Sequence, residues 1–328
     1  MAAPRLDVVI VGAQRAGSTG LGATLAGHPQ VYVCPDEVPY FEDPFYGNSS
    51  PHELERALAG AAPGQLRGIH RPDYLARPEC APRIAADAPG ARVVAVLRDP
   101  VDRAVAAYYW YVQFGLLPLV PVEAGLTRLL DGWSDPAYPR SADILEYGRY
   151  GHHLAHYVAA LGSDRVLALR SDALDSPATH RRLFGVLGVD EEHRPPARAR
   201  RANAGAYDIR RLRWLRLRAR LAFSWDSTDT YRYRPRRRRR PLGFVPTAFV
   251  VGVDRVLLSR LLPAPQPRLP PVLDRALRSW YASDLDDLES LLGWDLADWR
   301  NGRSGSAQAG SATWGTTTPA ATDQPRPR

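Results

Sequence analysis

The sequence predicts an α/β fold of three layers, a central parallel sheet flanked by helices. Two observations carry this. Continuous apolar runs recur at 6–12 (LDVVIVG), 91–97 (ARVVAVL) and 164–170 (DRVLALR), the pattern of strands covered on both faces. Each run leads into a stretch with helical spacing, and strands alternating with helices build parallel βαβ units with right-handed crossovers. In such sheets ligands gather at the carboxyl ends of the strands.

The elements follow in order. The first strand ends at Gly12, and a helix starting at Ser18 places Leu21 and Leu25 four residues apart before Gly27 and Pro29 stop it. VYVCP (31–35) reads as a second short strand. The run at 91–97 ends in Arg98, and Pro100 stands near the start of a helix that carries Tyr108, Tyr109 and Trp110. Residues 147–161 have helical spacing, and the third apolar run ends in Arg170, followed by Asp172. Residues 195–245 are dense in Arg with weak periodicity and include the run Arg236–Arg240. A Pro-rich link (263–271) precedes a return to helical spacing at 272–299. From Asn301 the chain is Gly, Ser, Thr, Ala and Pro with little to bury. The expected organisation is one domain over 1–300, with 195–270 as an Arg/Pro-rich variable insertion and 301–328 as a disordered tail.

Composition narrows the class. The chain has 328 residues, a formal charge of +8 and 45% hydrophobic residues, the balance of a globular protein. It contains no lysine, so all 43 basic residues are Arg. A basic balance favours anionic partners such as phosphate or sulfate. The Arg run lacks the aromatic or helical context of a nucleic-acid site, so no nucleic acid is expected. Two cysteines, Cys34 and Cys80, make no disulfide framework or metal-ligand spacing. His152, His153 and His156 share a helix without a zincin carboxylate, so they read as packing and no metal is expected. The longest apolar stretch, 241–253, is broken by Pro246 and is too short to span a bilayer. With no leader pattern at the start, the expectation is a cytoplasmic protein.

The segment GAQRAGST (12–19) keeps the G-x-x-x-x-G spacing of a phosphate-binding loop in Gly12 and Gly17 but has Ser18 and Thr19 where Lys and Ser/Thr are usual. The strand at 91–97 ends in Arg98, where a magnesium-dependent nucleotidase would place Asp. A strand-terminal Arg pairs with phosphate bidentately, and the N–H groups of residues 15–19 at a helix start can hold another phosphate. Two separated phosphate sites without a metal point to a nucleotide such as 3′-phosphoadenosine 5′-phosphosulfate (PAPS).

Four segments in order then carry a resemblance. IVGAQRAGSTGLGATLAGHPQVYV resembles the 5′-phosphosulfate loop of PAPS-dependent sulfotransferases, particularly the carbohydrate branch with the heparan sulfate 3-O-sulfotransferases and bacterial relatives. RVVAVLRDPVDRAVAAYYWY resembles the family's 3′-phosphate segment, DEVPYFED its catalytic-Glu segment, and RGIHRPDYL stands where the family has Glu-Lys-Ser/Thr-Pro-x-Tyr. The resemblance implies a P-loop-like fold, PAPS as co-substrate and the following roles. Arg15 takes the place of the loop lysine beside the leaving phosphate, with Ala16, Gly17, Ser18 and Thr19 lending the loop. Arg98 binds the 3′-phosphate, and Ala106 stands where the family has a Ser that helps it. Asn203 and Tyr207 lie next to the adenine. Glu37 is the base for the acceptor hydroxyl, Glu42 belongs to the same acidic cluster, and His70, in the family's lysine position, is the rival base. Pro39 replaces the family's His.

The function expected from this is transfer of a sulfuryl group from PAPS to a hydroxyl of a carbohydrate or of a glycosylated or phenolic metabolite. The alternatives are a P-loop kinase or nucleotide hydrolase, and an inactive protein that binds nucleotide and polyanions.

Overall fold

The computed structural model describes residues 5–48, 52–195, 207–226, 229–235, 245–262 and 267–302. In the order of the chain, the sheet and its first helices are β1 (Val8–Gly12), α1 (Ser18–Ala26), β2 (Val31–Glu37), α2 (His52–Leu58), β3 (Leu66–His70), α3 (Cys80–Asp87), β4 (Arg92–Leu97) and α4 (Pro100–Phe114). There follow α5 (Val122–Leu130), α6 (Asp143–Glu146), α7 (Tyr150–Leu161), β5 (Val166–Arg170) and α8 (Pro177–Leu187). The Arg-dense section contains α9 (Ile209–Ala222), a hairpin of β6 (Phe223–Asp226) and β7 (Asp229–Pro235), and α10 (Val245–Val253), which runs through a π turn into α11 (Ser259–Leu261). The chain closes with α12 (Pro271–Leu292) and α13 (Ala297–Arg300).

Five parallel strands form the central sheet in the order β2-β3-β1-β4-β5. β1 and β4 are buried along almost their whole length, which is why both read as unbroken apolar runs. β3 is a strand that the sequence pattern does not predict. It is five residues long and begins Leu-Arg-Gly, yet it lies between β2 and β1, with Ile10 opposite His70 and Glu37 opposite the same His70. The connection leaving β1 runs toward β2, and that leaving β4 runs toward β5. The strand order therefore switches direction between β1 and β4, where a doubly wound sheet opens a crevice for ligands.

The helix after β4 is set by its first turn. Asp99 accepts hydrogen bonds from the N–H of Val101 (2.8 Å) and Asp102 (3.1 Å), and Pro100 occupies the first helical position. Arg278 of α12 pairs with the other oxygen of Asp99 at 2.9 Å, so the closing helix braces the β4–α4 turn. α12 also caps α7: buried Asp284 accepts from the N–H of Gly151 (3.0 Å) and His152 (2.9 Å), satisfying donors that a helix start leaves without partners. Gly293 separates α12 from α13 within the stretch predicted as helical. α9 packs Leu212, Leu215 and Ala219 inward and lies against α4, so part of the weakly periodic section is a helix docked on the core. The run Arg236–Arg240 lies outside the described residues.

Candidate active site

The loop after β1 is shaped by its two glycines. Gly12 has φ 154°, and a Cβ there would meet the carbonyl oxygen of Pro72 at 2.8 Å. Gly17, at φ 114°, is the cap residue of α1; an L side chain rarely adopts that backbone conformation. Arg15, between them, is itself left-handed at φ 66°, uncommon for a residue with a Cβ. The loop is tied to the sheet by Ala13, whose N–H donates to the Val96 carbonyl at 2.8 Å. At the start of α1 the N–H groups of Ser18 and Thr19 precede any intrahelical acceptor. Gly17 and Thr19 are exposed, Ala16 and Ser18 are buried, and the first turn holds no acidic residue. An exposed helix start of this kind accepts an anion.

Arg15, after β1, and Arg98, after β4, stand on either side of the switch point, near enough for the charge of one to act on the other. Burial pulls the Arg15 guanidinium below its ordinary value; the nearby Tyr207 works against that, and the like charge of Arg98 adds to it. Crowding two cations into a partly buried crevice costs free energy unless an anion joins them. Arg98 is part-exposed and pairs with Asp102 at 3.8 Å. Tyr207 stands edge-on to Tyr109 of α4, centroids 5.1 Å apart. Ala106 is buried on α4 and presents only a methyl group. Asn203 lies outside the described residues.

Beside the loop runs an ionic chain that the sequence reading missed. Arg71, just after β3, bonds Glu37 through Nη1 at 2.7 Å, Glu42 through Nε and Nη2 at 2.7 and 3.0 Å, and Asp73 at 3.3 Å. Asp73 accepts from the Gln14 amide of the glycine loop at 2.9 Å and meets Arg140 at 3.4 Å. Arg140 in turn holds Asp143 at 2.7 Å. One chain of contacts thus joins the anion loop to Glu37. The acidic flank around Glu37 is therefore a paired triad with Arg71 at its centre, and not a group of repelling carboxylates. The Glu37 side chain is 44% exposed while that of Glu42 is fully buried, so Glu37 alone of the two faces outward. Burial pushes the Glu42 carboxyl up, against the pull of Arg71, and the surrounding carboxylates hold the Arg71 guanidinium firmly charged.

His70 is buried on β3, with Gly22 of α1 beside its ring. Its Nδ1 lies 3.2 Å from the Cys34 carbonyl; a carbonyl only accepts, so Nδ1 carries the hydrogen and Nε2 is the basic nitrogen when the ring is neutral. Arg170, the third strand-terminal Arg, is engaged by Asp172 at 2.9 Å and by Asp298, and it lies over the Trp299 ring. It serves as a structural ion pair. Asp99, the acidic residue that follows β4, is spent on the α4 cap and Arg278. No group of three or more His, Cys, Asp or Glu able to hold a metal ion occurs among the described residues. A separate cleft of about 590 Å³ between α5 and the start of α12 is lined by none of these residues.

A parallel sheet switching direction between β1 and β4, with a glycine loop after one and an Arg after the other, is a P-loop-like fold. Comparison with known proteins narrows the class. The chain is 28% identical over 114 residues to membrane-associated sulfotransferase kil1 of Dictyostelium discoideum (33% of this chain, 23% of that protein). It is 24% identical over 178 residues to human heparan sulfate glucosamine 3-O-sulfotransferase 3B1 (52% of this chain, 42% of that protein). The chain spans less than half the length of these curated relatives. A sulfotransferase from Alicyclobacillus acidocaldarius superposes with a TM-score of 0.60 at 19% identity, covering 90% of this chain and 99% of that one. No protein-family profile matches the chain. In sequence the chain is similar to sulfotransferases over a third to a half of its length, and in fold it is similar to a bacterial sulfotransferase.

Proposed function

We propose that the protein transfers a sulfuryl group from PAPS to a hydroxyl of a carbohydrate or of a glycosylated or phenolic metabolite. The observation that carries this reading is the juxtaposition of Arg15 and Arg98 on either side of the switch point, next to the open start of α1. Two cationic centres and a set of backbone donors match a nucleotide with phosphates at both the 3′ and 5′ positions. PAPS supplies the activated sulfuryl group. Arg98 holds the 3′-phosphate without help from position 106. Arg15 and the N–H groups of Gly17, Ser18 and Thr19 hold the 5′ side and stabilise the charge that builds there as sulfur is transferred; the Ala16 N–H instead donates to the Ala13 carbonyl at 3.1 Å. Tyr207, with Asn203, borders the adenine.

On the acceptor side, Glu37 takes the hydroxyl proton as the oxygen bonds to sulfur. Arg71 fixes the direction of that carboxylate through the contact at 2.7 Å. The rival proton acceptor is His70, through Nε2. A cytoplasmic setting belongs to the same reading, because Cys34 and Cys80 are both buried and unbridged. No helix among the described residues is long and apolar enough to cross a membrane.

The test is transfer of labelled sulfate from PAPS to a panel of sugars and phenols, with EDTA present throughout. Transfer that survives the chelator supports the reading. Magnesium-dependent phosphoryl transfer or hydrolysis of ATP would replace it with a kinase or hydrolase, and tight nucleotide binding without transfer to any acceptor would leave an inactive binding protein.

A further inference from the structure

Among the described residues eight large apolar side chains are exposed, and seven of them lie on α9 and on the helical run 245–262. Single exposed apolar residues are ordinary and scatter over a surface; a concentration of this kind marks a surface that something covers. Phe249, Val256, Leu257 and Leu261 are half exposed or more. On α9 the exposed residues are Ile209 and Leu217, spaced with Arg210, Arg213 and Arg220 along one side of the helix. Trp214 joins the two helices: its indole N–H donates to the Val250 carbonyl at 2.9 Å, and its ring stands edge-on to Phe249 at 6.3 Å.

The charges of this face are mostly positive. α9 contains six arginines and no acid. The two acids beside it are already bonded, Asp208 to Arg210 at 3.1 Å and Asp254 to Arg211 at 2.8 Å. A helical surface with apolar side chains interleaved with arginines fits the boundary of a bilayer, where apolar groups enter the acyl region and guanidiniums meet anionic headgroups. A second copy of the chain fits poorly, because a two-fold contact would bring arginines against arginines, and among the described side chains both acids beside α9 are already bonded. The run 245–262 carries Asp254, Arg255 and Arg260, and no helix among the described residues is long and apolar enough to cross a membrane, so the run suits a position along a membrane surface and not a span. We propose that α9 and the 245–262 helical run form a peripheral membrane-binding face that selects anionic lipid. This stands independently of the sulfuryl-transfer reading.

The experiment is flotation of the full chain with vesicles of phosphatidylcholine, with and without phosphatidylglycerol. The expected result is binding that requires phosphatidylglycerol. The variant F249S/L257S/L261S should lower partitioning by about 30-fold or more, from apolar contact alone. R210Q/R213Q/R220Q should lower it by about 100-fold, and each variant is checked for native circular dichroism. If a variant does not fold, hydrogen exchange on the unmodified protein takes its place, with protection of 209–222 and 245–262 expected when vesicles are added. The proposal fails if no vesicle binding occurs, if phosphatidylcholine alone binds as well, or if these helices gain no protection. It also fails if the apolar variant binds like the parent, which would mean general polyanion adhesion by arginines, or if the apolar variant abolishes self-association of a chain that ignores vesicles.

Discussion

Replacing Arg71 by Met tests whether the ionic chain behaves as its geometry implies. Glu42 is fully buried and takes both its close hydrogen bonds from Arg71, at 2.7 and 3.0 Å. Asp73 would keep Gln14 and Arg140, and Glu37 is 44% exposed and would be rehydrated. The loss therefore falls on Glu42, left as a buried carboxylate that has lost both of its close guanidinium hydrogen bonds. Removing one partner of a buried pair costs about 3–5 kcal/mol, against less than about 1 kcal/mol for a half-exposed pair such as Glu37–Arg71. In urea unfolding at pH 7, Arg71→Met should fall in the first range and Glu37→Gln in the second. Adding Glu42→Gln to Arg71→Met should recover at least about 2 kcal/mol, since the uncompensated charge disappears. The deficit of Arg71→Met should also shrink as pH falls toward about 4, where a protonated Glu42 no longer needs a cation. A cost below about 1 kcal/mol, or strict additivity of the two substitutions, refutes the assignment.

The other expectations concern ligands and pH. Arg98→Ala should weaken binding of 3′-phosphoadenosine 5′-phosphate by about 2–4 kcal/mol, the loss of a charge-assisted contact. It should barely affect the analogue without the 3′-phosphate, so equal losses in calorimetry for both nucleotides contradict its role. Glu37→Gln should lower kcat by roughly 10²–10⁴ while nucleotide affinity holds; an active Glu37→Gln beside a dead His70→Ala moves the base to His70. His153 is buried, and its Nε2 donates to the Glu146 carbonyl at 2.9 Å. Burial pulls its ring down to about 4, from 6.5. The unfolded chain thus binds the extra proton first, and the contribution of this residue to stability is present above pH 6.5 and lost as pH falls toward about 4. The loss amounts to at most about 3 kcal/mol. His153→Gln should flatten unfolding midpoints across that window, and an unchanged slope would count against a neutral buried ring.

Local signals made much of the frame readable. β1, β4 and β5 are largely buried strands whose central side chains are apolar, so they announce themselves as apolar runs. Gly12 and Gly17 mark a loop whose backbone demands them, and their spacing is that of a phosphate-binding loop with Ser18 in the lysine position. What could not be read is what distant residues supply to one another. β3 contributes Leu-Arg-Gly-Ile-His to the middle of the sheet, and its strand state comes from the ladders on either side and not from its own composition. Arg71 and Glu42 stand 29 positions apart, with no periodicity linking them. The pairing exists because β2 and β3 end side by side and bring the chain after each strand to the same place. The nearness of Arg15, Arg98 and Tyr207 has the same origin, since each belongs to a different connection. A strand or a tight loop is specified by its own few residues, whereas an ion pair or a binding crevice is specified by where folding brings the ends of separate elements together.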